Sequence, residues 1–303
     1  MAADRSFVAT SVKVGELELA HPIIAASGTA GHGAELSAYG DLATLGAVVV
    51  KSLSAEAWAG NPPPRVHPIA QGMINAVGLQ GSGVAHWLAN DLPAMATAQA
   101  KAVVSIWGRS VEEYRRAAEL LSEGLESSPY RDTVIAVEVN LSCPNLEGRS
   151  GIIAHDPSLA GQIVSAVCAR SQVPVWAKLS ANTDRIVEIA TTVSDAGASA
   201  VTVMNTMLGM QIDVRTSRRS LGNGGGGLSG PAIRPIAVRA VHDIRVALPG
   251  VAIVGVGGIA SGDDAIEMMM AGANAVQVGT ASFARPDATW RIACAAASRA
   301  HTL

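Results

Sequence analysis

The chain has 303 residues, a formal net charge of −3 at pH 7, 49% hydrophobic residues and 16% charged ones. These values predict a folded protein with a large buried core, and they exclude a disordered or fibrous chain. Aromatic residues make up only 3%. Together with the mild negative charge, this argues against a surface that binds nucleic acids.

The three cysteines, Cys143, Cys168 and Cys294, lie too far apart in sequence for a disulfide framework or a CxxC metal site. They are also too few for an iron–sulfur cluster with four thiolate ligands. We therefore expect no metal site in this chain. The N-terminal segment MAADRSFVATSVKVGELE does not look like a signal peptide, and no apolar stretch approaches the about 18 residues of a membrane span. A cytoplasmic protein without membrane contact is expected.

The first predicted element is a small β-hairpin over 6–22 that turns near Gly15. Eight short runs follow, and each is continuously apolar rather than alternating, which is typical of strands buried on both faces. Their positions are 22–27, 47–52, 102–107, 134–142, 173–180, 200–206, 251–258 and 275–280.

Helix-like stretches separate many of these runs, at 110–125, 156–171, 182–197, 229–248 and 262–272. The first of them opens with Ser110 as a predicted N-cap and Glu113 in the capping-box position. Eight strands alternating with helices predict a (β/α)8 TIM barrel, in one domain over 1–303, with the hairpin closing its bottom. An open doubly wound sheet is the main alternative, but it has no natural use for a seventh and an eighth repeat.

Two long segments break the alternation, 57–83 after the second strand and 207–230 after the sixth. Long loops at the C-terminal face of a barrel are usually functional. The GNGGGG run (222–227) inside the second segment is not a P-loop, because no GK[ST] follows it.

The residues at the C-terminal ends of the eight strands are almost all polar or glycine. They are Ser27, Lys51, Ser52, Ser105, Asn140 to Cys143, Lys178, Asn205, Thr206, Gly257, Gly258, Gly279 and Thr280. Either lysine alone is as consistent with a structural ion pair as with a ligand site. Two lysines at the same rim favour a site for something anionic or electron-rich.

The glycines that end strands seven and eight predict a phosphate site, because barrels often build one from these two loops. A phosphate site there and a lysine on strand five suit FMN, whose anionic reduced form Lys178 would stabilise. Four carboxamides, Asn75, Asn140, Asn145 and Asn205, suit a planar ligand with amide and carboxylate groups.

Cys143 lies in a polar loop at a strand end, unlike Cys168 and Cys294, which fall in apolar helical patterns and are expected to be core residues. A thiolate acts as a nucleophile or as a base. Beside a flavin that accepts hydride, a base is the more economical role.

Together these stretches resemble the class 1 dihydroorotate dehydrogenases. The resemblance is carried by NLSCPN (140–145), KLSAN (178–182), VMNT (203–206), GGLSGPAIRP (226–235), GVGGI (255–259), GNPPPR (60–65) and MINAVGLQ (73–80). It implies an FMN barrel that oxidises dihydroorotate to orotate in pyrimidine biosynthesis, with Cys143 taking the C5 proton while hydride leaves C6 for flavin N5.

The resemblance also implies two sets of binding residues. The substrate contacts are Lys51, Asn75, Ala76, Val77, Gly78, Leu79, Asn140, Asn205 and Thr206. The flavin contacts are Ser27, Lys51, Ser52, Ser105, Asn140, Lys178, Met204, Gly230, Gly257, Gly258, Gly279 and Thr280. Ser105 and Ala181 depart from the family pattern, which usually has asparagine and proline there, and the GTAGHG loop (28–33) lacks the usual aromatic residues.

A cysteine base and the lack of a membrane-associating N-terminal extension argue against the class 2 enzymes. The GLQGSG (78–83) and NTMLGMQID (205–213) stretches look more like the NAD-linked 1B type than the fumarate-linked 1A type. This implies a homodimer and a partner subunit with FAD and a [2Fe–2S] cluster. The alternatives are a flavin barrel acting on dihydrouracil-type substrates and a non-catalytic electron-transfer flavoprotein; a tRNA-reducing flavin enzyme fits the composition poorly.

Overall fold

The computed structural model describes residues 11–142, 144–146 and 149–300. Its strands in chain order are β1 (Val12–Val14), β2 (Leu17–Leu19), β3 (Ile23–Ala25), β4 (Val48–Val49), β5 (Val66–Ile69), β6 (Gly72–Asn75), β7 (Ala102–Ile106), β8 (Val134–Asn140), β9 (Pro144–Leu146), β10 (Arg149–Ile152), β11 (Val175–Lys178), β12 (Ala200–Val203), β13 (Met207–Gly209), β14 (Ile212–Asp213), β15 (Arg218–Arg219), β16 (Gly226–Ser229), β17 (Ile253–Val256) and β18 (Ala275–Val278).

The helices are α1 (Val84–Thr97), α2 (Val111–Glu126), α3 (Pro157–Cys168), α4 (Ile186–Asp195), α5 (Arg234–Ala247), α6 (Gly262–Met270), α7 (Ala281–Ala284) and α8 (Ala288–Ala300). Short 3-10 turns lie at Ala34–Ala38, Leu42–Thr44, Arg131–Thr133, Ile153–His155 and Pro231–Ile233. Two 3-10 turns follow β3, the first strand of the barrel, in the place where a regular barrel unit has an α-helix.

Eight parallel strands close into a barrel in the order β3, β4, β7, β8, β11, β12, β17, β18, and β18 pairs back with β3. Each of the eight predicted apolar runs supplies one of these strands. The predicted TIM barrel is confirmed. Because all strands run the same way and follow one another along the chain, their carboxyl ends meet at one face.

The barrel strands are buried on both faces, which explains their continuously apolar sequences. One face packs against the helices in the larger core. The other fills the lower interior of the barrel, where Ala136, Trp176 and Val254 form a cluster with Val14 and Leu19 of the β1–β2 hairpin. The hairpin therefore closes the end of the barrel opposite the strand carboxyl ends, as predicted.

The two long segments join in a way that the sequence did not indicate. Segment 57–83 contributes the β5–β6 hairpin, segment 207–230 contributes β13 and β16, and the four strands form one antiparallel sheet in the order β13, β16, β6, β5. This sheet, here called the upper sheet, ties loops that are about 150 residues apart in sequence into one structure.

Helix α2 has the predicted N-cap but not the complete predicted capping box. The Ser110 hydroxyl accepts a hydrogen bond from the Glu113 backbone N–H at 3.2 Å, as the predicted N-cap requires. The Glu113 carboxylate, however, accepts from the Arg109 backbone N–H at 2.7 Å rather than from that of Ser110. Only the serine half of the predicted capping box is present.

Candidate active site

A polar layer crosses the barrel interior above the apolar bottom cluster. Glu138 of β8 is fully buried, and its Oε2 accepts hydrogen bonds from Thr202 Oγ1 at 2.9 Å and from Gln277 Nε2 at 2.8 Å. The three side chains come from three strands, which run through apolar residues before and after each of them. This layer separates the packed bottom of the barrel from the strand ends.

Lys178 ends β11 directly above this layer. Its Nζ lies 3.4 Å from Glu138 Oε1, and both side chains are almost completely buried. Lys51 follows β4 at the same end, and its pKa is lowered from the usual 10.5, first by burial and then by repulsion from Lys178. The two lysines that the sequence predicts at one rim are thus close enough for their charges to repel each other.

Asn140 is the centre of the hydrogen-bond network at the strand ends. Its Nδ2 donates to Ser52 Oγ at 3.2 Å, and the Ser52 and Ser105 hydroxyls are hydrogen-bonded at 2.8 Å. Its Oδ1 accepts from Ser142 N and from Asn205 Nδ2, both at 3.2 Å. The network fixes which end of the Asn140 carboxamide is the donor.

Thr206 is held by two asparagines. Its backbone N–H donates to Asn205 Oδ1 at 2.7 Å, and its carbonyl accepts from Asn182 Nδ2 at 3.1 Å. Asn182 Oδ1 also accepts from Leu208 N at 2.8 Å, which connects the same carboxamide to β13. Met204, which precedes these residues, is buried behind them.

The upper sheet brings Asn75 to the same region from the other long segment. Asn75 is paired with Gly227 across β6 and β16, and its Nδ2 donates to the Gly227 carbonyl at 3.2 Å. A Cβ on Gly227 would overlap with Thr206 Oγ1, and one on Gly226 would overlap with the Asn75 carbonyl. The glycine run thus lets the backbone of β16 pass between Asn75 and Thr206.

Residues 76–79, the rest of the predicted substrate loop, are fixed by the GNPPPR segment. Asn61 Nδ2 donates to the Ala76 carbonyl at 3.1 Å, and Arg65 donates to the carbonyls of Asn61 and Ala59 and to the Gln80 side chain. Gly78 adopts φ +73°, and a Cβ there would overlap with Asn61.

An aromatic contact anchors the start of the same segment. Trp58 donates from Nε1 to the Gly78 carbonyl at 3.0 Å and packs edge-on against Trp107, with ring centroids 5.8 Å apart. The Arg109 guanidinium lies 5.0 Å from the centre of the Trp58 ring. The loop that carries Val77 and Leu79 is therefore attached to the end of β7.

The predicted phosphate residues also meet at the strand ends. Thr280 Oγ1 donates to Ser229 Oγ at 2.8 Å, next to Gly230. β17 and β18 are neighbours, so Gly257 and Gly258 lie beside the strand end that leads to Gly279. Gly230, Gly257 and Gly258 have φ values of +94°, +140° and +73°, conformations in which consecutive backbone N–H groups can converge on an anion. Ser27, after the neighbouring β3, donates to the Val50 carbonyl at 2.8 Å.

Cys143, the predicted base, lies outside the described residues. Asn145, one of the four predicted carboxamides, is described only as part of the backbone of β9. The chain before them is described up to Ser142, whose backbone N–H donates to Asn140 Oδ1.

Within the described residues, no group of three or more His, Cys, Asp or Glu could hold a metal ion. None of the described helices is long and apolar enough to cross a membrane.

The charges and donors of this region fit a flavin phosphate cofactor and an anionic planar substrate. Lys51 and Lys178 carry two positive charges against the one carboxylate of Glu138, so an anion would offset the excess. Ser142 Oγ and Trp107 Nε1 are buried without a hydrogen-bond partner among the described residues. A primary amide carries two N–H donors, and the hydrogen bonds described for Asn75, Asn140 and Asn205 use one on each.

Comparison with known proteins agrees with this geometry. The family model described as dihydroorotate dehydrogenase matches residues 9–296. The chain belongs to the dihydroorotate dehydrogenase family. A curated relative from Trichlorobacter lovleyi is 44% identical over 285 residues, covering 94% of this chain and 91% of that protein. Another, from Solidesulfovibrio magneticus, is 42% identical over 287 residues with the same coverage. Both are named dihydroorotate dehydrogenase B (NAD(+)), catalytic subunit.

A solved structure shares the fold at lower sequence identity. The crystal structure of DHODH in complex with ferulenol from Eimeria tenella superposes with a TM-score of 0.74 at 21% identity, covering 96% of this chain and 84% of that one. In the present chain, the described residues of both predicted binding sets lie at the carboxyl end of the barrel, in the upper sheet or in the segments that follow its strands.

Three features of the site were missed by sequence reasoning. Glu138 and Gln277 are each a single polar residue inside an apolar strand, which was a readable signal. Asn182 belongs to the KLSAN stretch but was not given a role. The close approach of Gly227 to Asn75 and Thr206 had no signal in sequence, since it depends on the pairing of two distant loops.

Proposed function

We propose that this chain oxidises (S)-dihydroorotate to orotate, as the FMN-carrying catalytic subunit of an NAD-linked dihydroorotate dehydrogenase in pyrimidine biosynthesis. One observation carries the proposal: the buried Lys178 and the half-buried Lys51 lie at the same strand ends as the hydrogen-bonded carboxamides of Asn140 and Asn205. A flavin phosphate and a carboxylate-bearing ring have complementary charge and hydrogen-bonding groups. The names of the curated relatives support the same activity.

In this proposal the substrate ring lies among Asn75, Asn140, Asn205 and Thr206, with its carboxylate offset by Lys51. Residues 76–79 close the site from the side of the upper sheet, held by Asn61 and Arg65. Cys143 would take the proton from C5 of the substrate. When bound, FMN would supply the acceptor for the hydride that leaves C6.

The flavin would occupy the barrel mouth between the strand ends. Its phosphate would bind the backbone N–H groups around Gly230, Gly257, Gly258, Gly279 and Thr280. Lys178 would hold a positive charge toward the pyrimidine end of the ring, close to Ser27, Ser52, Ser105 and Met204. The whole chain, 1–303, is proposed to act as a single FMN-binding domain located in the cytoplasm.

The proposed partner subunit follows from the assignment of the chain to the NAD-linked type. We propose that two copies of the chain pair, and that a separate subunit with FAD and a [2Fe–2S] cluster passes the electrons to NAD. Co-purification of the tagged chain from its own organism tests this. A yellow chain accompanied by an FAD and iron–sulfur subunit is expected, whereas an isolated homodimer that reduces fumarate would contradict it.

Substrate turnover tests the activity itself. The FMN-loaded chain should be reduced by dihydroorotate far faster than by dihydrouracil, because only dihydroorotate carries the carboxylate that offsets the lysine charge. Stopped-flow absorbance of the flavin measures both rates. A preference for dihydrouracil would replace the proposal with a dihydropyrimidine dehydrogenase, and no reduction by either would favour a non-catalytic flavoprotein.

A further inference from the structure

Glu138 is a fully buried carboxylate inside the barrel that no step of the proposed reaction uses. A buried carboxylate is costly unless it is hydrogen-bonded and paired with a cation. An apolar residue at this position would fill the space without that cost. The residue therefore calls for a role that depends on its charge.

The two oxygens of Glu138 face different groups. Oε2 is held by two neutral donors, Thr202 and Gln277, on two other strands. Oε1 has no hydrogen-bond partner among the described residues, but it lies 3.4 Å from Lys178 Nζ. One oxygen thus fixes the carboxylate in place, and the other is directed at the lysine.

Charge balance explains why Lys178 needs this partner. The charged groups that face it are Glu138 from β8 and Lys51 from the end of β4; β12 and β18 contribute the neutral Thr202 and Gln277. Burial, and after it repulsion from Lys178, lowers the pKa of Lys51. Without Glu138, two ammonium groups would share a buried region with no described carboxylate in ion-pair contact with either.

We propose that Glu138 is a positioning residue, which holds the Lys178 side chain as an ammonium ion at the strand ends, against repulsion by Lys51. The carboxylate acts from inside the barrel, so it contacts neither the substrate nor the flavin. This inference rests on the proposed function, because Lys178 matters here through the bound flavin. It adds that the flavin's reduction potential depends on a residue that the flavin does not touch.

The reduction potential of bound FMN in Glu138→Gln tests the inference, because the proposal predicts the direction in which the potential changes relative to wild type. Glutamine keeps the size and an acceptor for Thr202 and Gln277 but removes the charge. Lys178 then loses its counter-ion, and its ammonium group turns toward water. Positive charge near the reduced flavin is lost. We expect at least a tenfold loss of preference for reduced over oxidised FMN, a fall of about 30 mV for a two-electron couple.

If Glu138→Gln removed the carboxylate charge without any effect on Lys178, the reduction potential of bound FMN would change in the opposite direction. The site would become more positive, and the potential would rise. A rise or an unchanged potential in Glu138→Gln, measured by reductive titration against a dye of known potential, overturns the proposal. If that variant does not fold, Glu138→Asp keeps the charge but moves it away from Lys178. A smaller fall is expected there, and a rise overturns the proposal as well.

Two further variants separate positioning from general damage. Thr202→Val removes one hydrogen bond to Glu138 but keeps both charges, so its potential should change by less than a third as much as that of Glu138→Gln. In a Lys178→Ala background, Glu138→Gln should no longer lower the potential, because Lys178 is gone and only the carboxylate charge is removed. Equal falls in both backgrounds, or an equal fall in Thr202→Val, contradict the proposal.

The wild-type chain distinguishes failure of this inference from failure of the proposed function. A wild-type chain that does not bind FMN, or that dihydroorotate does not reduce, refutes the function. A wild-type chain that does both, with an unchanged potential in Glu138→Gln, refutes only the role of Glu138.

Discussion

Lys178 is buried and Lys51 is half-buried at the same end of the barrel, and of the two only Lys178 has a described ion pair. Such an arrangement is unfavourable for the protein without its ligands. It is favourable for binding, since an anionic ligand meets charges that are already desolvated and fixed. At the scale of single residues, we therefore expect the candidate site to lower the stability of the ligand-free protein and to raise its affinity for an anionic ligand.

Lys51→Met should stabilise the ligand-free protein at neutral pH. Burial lowers the pKa of Lys51 below 10.5, so the folded chain releases this proton at a lower pH than the unfolded chain. The destabilisation is present at neutral pH and disappears as pH rises through the folded pKa toward 10.5. Urea unfolding from pH 7 to 10.5 should show the gain of the variant shrinking with pH. Lys13→Met, on the exposed hairpin, serves as control, and a gain independent of pH would contradict the argument.

Cys143→Ala should leave FMN binding intact and slow flavin reduction by dihydroorotate about 100-fold or more, the usual contribution of a general base. In the wild type, the reduction rate should rise with pH toward the reference thiol pKa of about 8.5. Stopped-flow reduction across pH 6–9.5 measures both effects.

Cys168→Ala is the matched control, since Cys168 ends α3 and lies next to Gly197, outside the predicted site. It should keep full activity. Normal reduction by Cys143→Ala would remove Cys143 from the mechanism.

At the scale of elements, the upper sheet joins two loops that the barrel itself does not connect. β6 brings Asn75 and β16 brings the glycine run, and the antiparallel pairing sets their register. Because successive residues of a strand face opposite sides, a shift of one position would turn Asn75 away from Thr206. The proposed substrate contacts thus depend on correct pairing of 72–75 with 226–229.

Gly227→Ala should weaken dihydroorotate binding about tenfold to 100-fold, because its methyl group would overlap with Thr206 and overpacking costs about 1–3 kcal/mol. FMN affinity should change little. Gly225→Ala is the matched control, since a Cβ there meets only ordinary contacts, the nearest at 3.4 Å. KM for dihydroorotate in both variants decides the matter, and equal values would show that β16 does not shape the substrate site.

At the scale of the whole molecule, the two ends of the barrel differ in polarity and are expected to have different roles. The lower end is an apolar cluster that the N-terminal hairpin closes, while the upper end carries almost all the polar residues of the site. The polar layer around Glu138 lies between them. A change at the bottom should therefore alter stability without altering the chemistry.

Leu19→Ala should lower the free energy of unfolding by about 2–4 kcal/mol, since Leu19 is fully packed in the lower cluster. FMN affinity and KM for dihydroorotate should stay within about twofold of wild type, because both ligands are proposed to bind at the opposite end of the barrel. Glu18→Ala, exposed on the same strand, controls for changes in the hairpin itself. Loss of FMN affinity in Leu19→Ala alone would show that the two ends are coupled.

The eight strands, the barrel and the residues at the strand ends could be predicted without the structure. These follow from local patterns, because a strand buried on both faces must be continuously apolar and its carboxyl end is where polar residues begin. The hairpin around Gly15 was readable from a different local pattern, since Gly15 separates two short runs in which apolar and charged residues alternate.

Which of those residues contact one another depends on the three-dimensional fold. The pairing of Lys178 with Glu138, the contact of Asn182 with Thr206, and the passage of Gly227 between Asn75 and Thr206 join residues from 24 to 152 positions apart. Such contacts depend on strand register and barrel closure, which no local pattern encodes. The residue types of the candidate site were therefore visible in the sequence, whereas their arrangement is created by folding.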